Sequence, residues 1–463
     1  MKSKVLVLGG GITGLGTAWK LAENSVSVEV IELKKEIGGL AATIKEGPYR
    51  LDYGPHFILS ERPELLKKIL SLFSEDLPVF KRSAQLFFHG KFYNYPLTAR
   101  NVLMQMPLQD AFFCGSSYFL RLIWDTLKKP FVKKHEPNFE EWAKSSFGDY
   151  LFRLFFKPYT EQFWQIPVNE LSPDSMPTNT RLSFFKTLKL LFVKDIVRSK
   201  MSLVERETTL LLHYPKQGIG KMASHIADRI IEDKGKIQTG CRIKEIRREP
   251  DGTFSVTADC GGKKKIFKGD HVVSTLPLTE LIPMMNPAPP EEVRKSVQHL
   301  SYLSLIVVYL VIPKREILES SYVYHLATPY NRIGDMNKFC PDLCPEDENM
   351  LALEFTCHKG DSLWRKNKDE LFDMSIYYLE KDGILKRDEV KNIFILKAPY
   401  GYPVYTYDYK KHLDTVRTFV RQTSNLEIVG RTGNYQYMDM DQCLHYGFLK
   451  AEEVLSKIKS PVC

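Results

Sequence analysis

The chain has 463 residues, enough for two or three domains. With 43% hydrophobic and 12% aromatic residues it builds real cores, which excludes a globally disordered protein. The net charge of +9 is spread along the chain with no dense basic block, which argues against nucleic acid and suits anionic small molecules or an acidic membrane surface.

The first apolar run, Lys4–Leu8, is too short for a signal peptide and has no cleavage site after it. It reads as a buried strand. Gly9-Gly10-Gly11-Ile12-Thr13-Gly14 follows at once, then a helix over 15–23 and a second strand over 26–31 that ends at Glu32. Residues 62–75 read as a helix, 84–95 as a hairpin with its turn at His89-Gly90, and 100–165 as mostly helical and aromatic. The stretch 183–200 is a basic amphipathic helix. A helix over 221–233 leads to strands over 237–246 and 253–275, with a turn at Gly261-Gly262. A long β run covers 301–312, further strands 351–356 and 392–397, and a short last strand 426–429 precedes a final helix over 441–458. No stretch reaches the roughly 18 uncharged apolar residues of a spanning helix; 111–124 comes nearest and is broken by Arg121. The expected location is the cytoplasm. The eight cysteines show no framework spacing, which predicts reduced thiols. Cys340, Cys344, Cys357 and His358 match no common zinc spacing, so no metal is expected.

Gly9, Gly11 and Gly14 fit G-x-G-x-x-G. The first glycine makes the tight turn, the second lets backbone approach a pyrophosphate, and the third permits close helix–strand packing. Ile12 and Thr13 lie in this turn and are expected at the cofactor, and the N–H groups and dipole of the helix that follows suit phosphates. Glu32, 18 residues after Gly14, is placed to accept a ribose diol and to repel a 2′-phosphate, which selects FAD or NAD over NADP.

The next stretch, Glu32 to Ala42 (ELKKEIGGLAA), resembles the second glycine pair of the amine-oxidase-like FAD superfamily, where Leu33, Gly39 and Leu40 would pass near the cofactor. The strand run ending in VVSTLP (272–277) and the pair Gly430-Arg431 resemble two further parts of that fold. The resemblance implies FAD and an α/β architecture: a discontinuous Rossmann-type domain (1–75 with 210–275 and 425–463), an inserted mostly helical domain (76–209) and a β-rich antiparallel domain (276–424).

A series of motifs then resembles the UDP-galactopyranose mutase family, which overlaps the protoporphyrinogen-oxidase-like flavoproteins. The motifs are Tyr53-Gly54-Pro55-His56-Phe57, Tyr95-Pro96 after the hairpin, Pro158-Tyr159 through Trp164, Arg181, and GRTGNYQYMDMDQ from Gly430 to Gln442. In that family the N5 of reduced flavin attacks the anomeric carbon of a UDP-sugar, UDP leaves, and the sugar ring opens and recloses without net redox. Such an enzyme needs an electron donor, for example NAD(P)H or a reductase. The resemblance implies that Arg181 binds the diphosphate, as a guanidinium does best, that His56 lies beside the flavin together with Gly54 and Pro55, and that Tyr435 and Tyr437 donate hydroxyls to the diphosphate. In an extended chain those two tyrosines would project the same way. Tyr95, Tyr159, Trp164 and Tyr402 complete the expected substrate wall. Gly430, Arg431, Met440, Asp441 and Gln442 are expected at the cofactor, with Asp439 or Asp441 capping the final helix.

One departure stands out. The bacterial mutases place a second diphosphate-binding arginine at the start of a long β run, and here Leu300-Ser301-Tyr302-Leu303-Ser304-Leu305 has none. Either another basic residue serves, or the substrate is less polar and the enzyme is an oxidase or desaturase. A flavin-binding subunit without chemistry is the third reading. The stretches 112–134 and 183–200 either dock a membrane surface or form faces of a substrate domain, with lysine stems lying over apolar surface.

Overall fold

The computed structural model describes residues 3–75, 77–80, 83–88, 90–95, 107–128, 136–176 and 212–459. Arg181, the 183–200 stretch and His89 lie outside them.

Three distant parts of the sequence form one parallel sheet. Its strands run in the order Leu426–Ile428, His271–Ser274, Lys4–Leu8, Ser27–Ile31, Lys236–Gln238, every neighbour parallel. Continuous apolar runs such as Val5–Leu8 suit this sheet because helices cover it on both faces. The helix Ile12–Glu23 packs closely on the last helix, Met440–Lys459. That closeness requires glycine: a Cβ on Gly16 would lie 2.7 Å from Leu444, and one on Gly447 would lie 2.6 Å from the Thr13 carbonyl.

A four-stranded sheet carries the antiparallel strands 241–248, 254–260 and 263–269, with Met285–Asn286 on its edge. Its register sets Cys241 opposite Cys260, and the two are joined as a disulfide. This corrects the expectation of reduced thiols throughout: strand pairing, not spacing along the chain, brought these sulfurs together. Cys340, Cys344 and Cys357 are free, and the cluster read with His358 does not form. Cys340 and Cys344 belong to one apolar core and Cys357 to another, on a strand of the large sheet.

That large sheet has seven strands in the order 392–403, 302–313, 348–358, 332–335, 322–325, 84–88, 91–95. It is antiparallel except where Tyr322–His325 pairs with Ala84–Phe88. In Tyr302–Pro313 every residue except Pro313 is buried, because both faces of the strand are covered. Among the described residues of the insertion the main helices are Leu108–Lys128, Phe139–Phe147 and Lys157–Trp164. A capping box at Asn138 and Glu141 starts the second of these.

Asp52 ties the sheets together below the site. Its buried carboxylate receives the hydroxyls of Thr43 and Tyr214 and the Ile219 N–H (3.1 Å) that opens the helix Gly220–Glu232. Burial outweighs these donors and pushes its pKa up to about 6. The folded pKa is raised, so the stabilisation from the protonated acid is complete below about pH 4 and is lost as pH rises through 6. Replacing Asp52 by Asn removes this titration. The stability of Asp52→Asn relative to the parent should therefore improve by about 3 kcal/mol between pH 4 and pH 8 in denaturant titrations. A pH-independent difference would refute the assignment.

Candidate active site

The glycine turn and the second glycine pair meet face to face. Gly11 bridges Gly38 in parallel, and a Cβ on Gly39 would stand 3.3 Å from Gly11 Cα. Gly9 (φ +100°) could carry no side chain, since a Cβ would lie 2.3 Å from Thr275 Oγ1. The helix Ile12–Glu23 starts at Gly11 with no side-chain cap and no acid in its first turn. Its leading N–H groups and dipole therefore favour an anion from outside the helix. Glu32 accepts the Gly10 N–H at 2.6 Å and the Lys34 N–H at 2.8 Å, which fixes its carboxylate beside the turn. Leu33 lies next to it, half exposed. Leu40 turns away into the core under the large sheet.

Gly430 (φ +90°) closes the turn from the other side, its bare Cα packed against Thr13. Met440 packs into the core around the parallel sheet. Asp441 receives the Ser60 hydroxyl at 2.8 Å, and the Gln442 side chain accepts the Asp439 N–H at 3.1 Å at the start of the last helix. Burial raises the Asp441 pKa.

Beyond the cradle, a group of side chains converges from five segments. The Arg431 guanidinium sits 4.5 Å from the ring centre of Tyr402 and 4.6 Å from that of Tyr437. Those two rings are parallel, 3° apart, with centres at 6.0 Å. The Arg431 Nε is buried without a hydrogen-bond partner, while its Nη1 reaches the Met438 carbonyl only at 3.5 Å. Such a group calls for an acceptor supplied by a bound molecule.

His56 faces both Arg431 and Arg332. Burial and then these two charges drive its pKa down to about 4, against the effect of its bond to the Gly54 carbonyl (2.8 Å). The imidazole is therefore neutral at physiological pH. Because a carbonyl only accepts, Nδ1 carries the proton and Nε2 keeps its lone pair. Pro55 is held by the Tyr322 hydroxyl at 3.2 Å, and Gly54 (φ +86°) leaves room for the Glu354 carboxylate, which a Cβ would meet at 3.0 Å.

Arg332 and Glu354 form a two-pronged ion pair, with Nε–Oε1 at 2.8 Å and Nη2–Oε2 at 2.7 Å. The Arg332 guanidinium also lies 4.5 Å from the ring centre of Tyr322. Sequence reasoning passed over both residues. The signal was there: Glu354 is a lone carboxylate inside the buried run LALEFTC, and a buried charge needs a partner. The antiparallel register pairs Arg332 directly with Glu354.

Two expected wall residues fall elsewhere. Residues 434–438 are not extended. Tyr435 has φ +51°, is almost fully buried, and its hydroxyl lies 2.5 Å from the Val404 carbonyl and 2.9 Å from that of Ser301. The left-handed kink turns Tyr435 into the core and leaves only Tyr437 at the site, its hydroxyl 3.1 Å from Asp439. Trp164 is likewise in the core, beside Tyr405, while Phe163 from the same helix meets Tyr402 at 5.1 Å. Tyr159 stands behind Phe163 and 6.5 Å from Tyr324. Tyr95 ends an edge strand, paired with Ala84. Tyr435→Phe should lower stability by about 1–3 kcal/mol, through the backbone groups it leaves unpaired, with substrate affinity unchanged. Tyr437→Phe should do the reverse. Parallel melting and KM measurements separate the two, and equal effects would contradict this division.

The family described as flavin containing amine oxidoreductase matches residues 12–390. The chain belongs to this family. It is a flavoenzyme, and its cofactor is FAD, whose diphosphate suits the glycine cradle. It is 26% identical over 182 residues to the coproporphyrinogen III oxidase of Propionibacterium freudenreichii subsp. freudenreichii, covering 38% of this chain and 34% of that one. It is 24% identical over 173 residues to a probable UDP-galactopyranose mutase of Klebsiella pneumoniae, covering 36% and 42%. The matches thus span well under half the length of these relatives. Over the whole fold it resembles the crystal structure of a reduced UDP-galactopyranose mutase, with a TM-score of 0.82 at 18% identity, covering 98% of this chain and 94% of that one. Among the described residues, no helix is long and apolar enough to cross a membrane.

Proposed function

We propose that this flavoenzyme interconverts the ring forms of a nucleotide-sugar, as a redox-neutral mutase working on reduced flavin. The observation that carries the reading is the pair of guanidiniums, Arg431 and Arg332, at one pocket with a neutral histidine. In this reading Arg332, two strands away from 302–313 in the same sheet, stands in for the arginine missing from 300–305. The bound reduced flavin supplies the nucleophilic electron pair. Arg431 and the remaining face of Arg332 hold the diphosphate, and the Tyr402–Tyr437 wall excludes water from the sugar. His56 Nε2 accepts a hydroxyl or N–H without adding charge. Arg181 joins the diphosphate set in this proposal, and NAD(P)H or a reductase supplies the electrons, in a cytoplasmic setting.

The second reading is an FAD oxidase on a less polar substrate. It is favoured by Glu354, which already takes two of the Arg332 nitrogens and lowers the pocket's net positive charge. Thermal-shift titration of the reduced and oxidised enzyme with UDP, UDP-galactose and other nucleotide-sugars decides between them. Stabilisation by uridine nucleotides, greater for Arg332 and Arg431 intact than for their alanine variants, supports the mutase. No stabilisation by any of them sinks it, and substrate-driven bleaching of the flavin would establish the oxidase.

A further inference from the structure

We infer that the surface between two helices far along the chain from the glycine turn holds a late first-row divalent cation, of the zinc type, on His299, His412 and Asp408. His299 ends the helix Glu291–Gln298. Asp408 precedes the first turn of the helix Tyr409–Gln422, and His412 lies four residues later. A spacing of four places two ligands on one helical face. Packing of the two helices brings His299 across to them. The imidazoles of His299 and His412 are stacked 4° from parallel with centres 4.0 Å apart, and His412 Nε2 is 3.3 Å from Asp408 Oδ2. One ligand atom of each residue lies within 4.8 Å of the others.

A cation with bonds of about 2.1 Å holds its ligand atoms roughly 3–4 Å apart, so small rotations of three side chains complete the site. Two imidazoles and one carboxylate match zinc, nickel, copper or iron(II) and not magnesium or calcium, which demand oxygen. A hollow of about 430 Å³ beside the pair leaves the remaining coordination positions open to water. Lys295 and Lys411 share this hollow with Glu291 and Glu292, and the Lys295 ammonium is held by Glu291 at 2.7 Å.

The cation would fasten the helix that supports the active-site strap. From that helix Arg417 donates to the Asn434 carbonyl at 2.6 Å, and the Tyr409 ring lies 6.1 Å from Tyr435. Binding there stiffens the approach to Arg431 and Tyr437 without entering the flavin pocket.

The test uses tag-free, FAD-loaded enzyme freed of metal by chelation. Calorimetric titration with zinc should show one site at micromolar or tighter affinity, and cobalt(II) should give ligand-field absorption bands from a nitrogen–oxygen site. His299→Ala/His412→Ala should weaken zinc binding by about 100-fold or more and Asp408→Asn by about tenfold, with FAD content unchanged as evidence of folding. Magnesium should give no such heat. Equal zinc affinity in the parent and the double variant, or no micromolar site in the parent, overturns the inference.

Discussion

Gly14→Ala should yield a protein that purifies without its yellow cofactor. An added Cβ would stand 2.0 Å from the Gly9 carbonyl oxygen and 3.3 Å from Val7 Cγ1. Neither contact can be relieved cheaply. The oxygen belongs to backbone in a turn whose Gly9 N–H is bonded to Ile31 at 2.9 Å, and Gly9 itself is pressed against Thr275. The helix must therefore back away from the strand, which pulls its leading N–H groups out of register with the phosphates. FAD affinity should fall at least about tenfold, the factor that a loss of 1.4 kcal/mol of binding costs, and flavin absorbance per mole of purified protein should fall with it. Gly47→Ala is the control. Its φ is +59° and no atom lies within 4 Å of an added Cβ, so it bears a backbone penalty of about 1 kcal/mol and keeps its flavin. A yellow Gly14→Ala protein with the parental flavin content would show that the turn does not hold the cofactor.

Arg332→Met is expected to be both less stable and nearly inactive, and the two losses have separate causes. Removing the guanidinium strands the Glu354 carboxylate, whose side chain is only 7% exposed, at a cost of about 3–5 kcal/mol. Adding Glu354→Gln removes the stranded charge and should return most of that stability. Turnover should not return. With Arg332 on the substrate diphosphate, kcat/KM should stay at least about 100-fold below the parent in the double variant, roughly the 2–3 kcal/mol of a charge-assisted hydrogen bond. A double variant that regains both stability and turnover would reduce the pair to a structural clamp.

The nucleotide-binding end was legible because its requirements are local. A tight turn, an unobstructed helix start and an acid one strand later each select a residue type at a fixed spacing, and Gly9, Gly14 and Glu32 show it. The long apolar strands were legible for the same reason, since burial on two faces leaves mainly Val, Ile and Leu in runs such as 302–312. The substrate end was only partly readable. Tyr435 and Tyr437 have the spacing of neighbours on one face of a strand, yet one left-handed residue sends them to opposite sides. Arg332 and Glu354 are 22 residues apart and meet only through strand register. Cys241 and Cys260 are a further case in which pairing across a hairpin outweighed the chain's spacing. Where a side chain's role depends on a kink or a register, the linear order of residues does not carry it.

The parallel sheet sets a schedule for making the protein. Its central strand, Lys4–Leu8, is made before the sheet's other strands, but the edge strand Leu426–Ile428 and the Gly430 turn that seals the Thr13 side of the cradle arrive some 420 residues later. At about 5–20 residues per second, the opening strand and helix wait tens of seconds with apolar faces uncovered. FAD should accordingly be captured late and protect the final helix from proteolysis, while nascent chains stalled before residue 425 should be clients for chaperones and poor at retaining the cofactor.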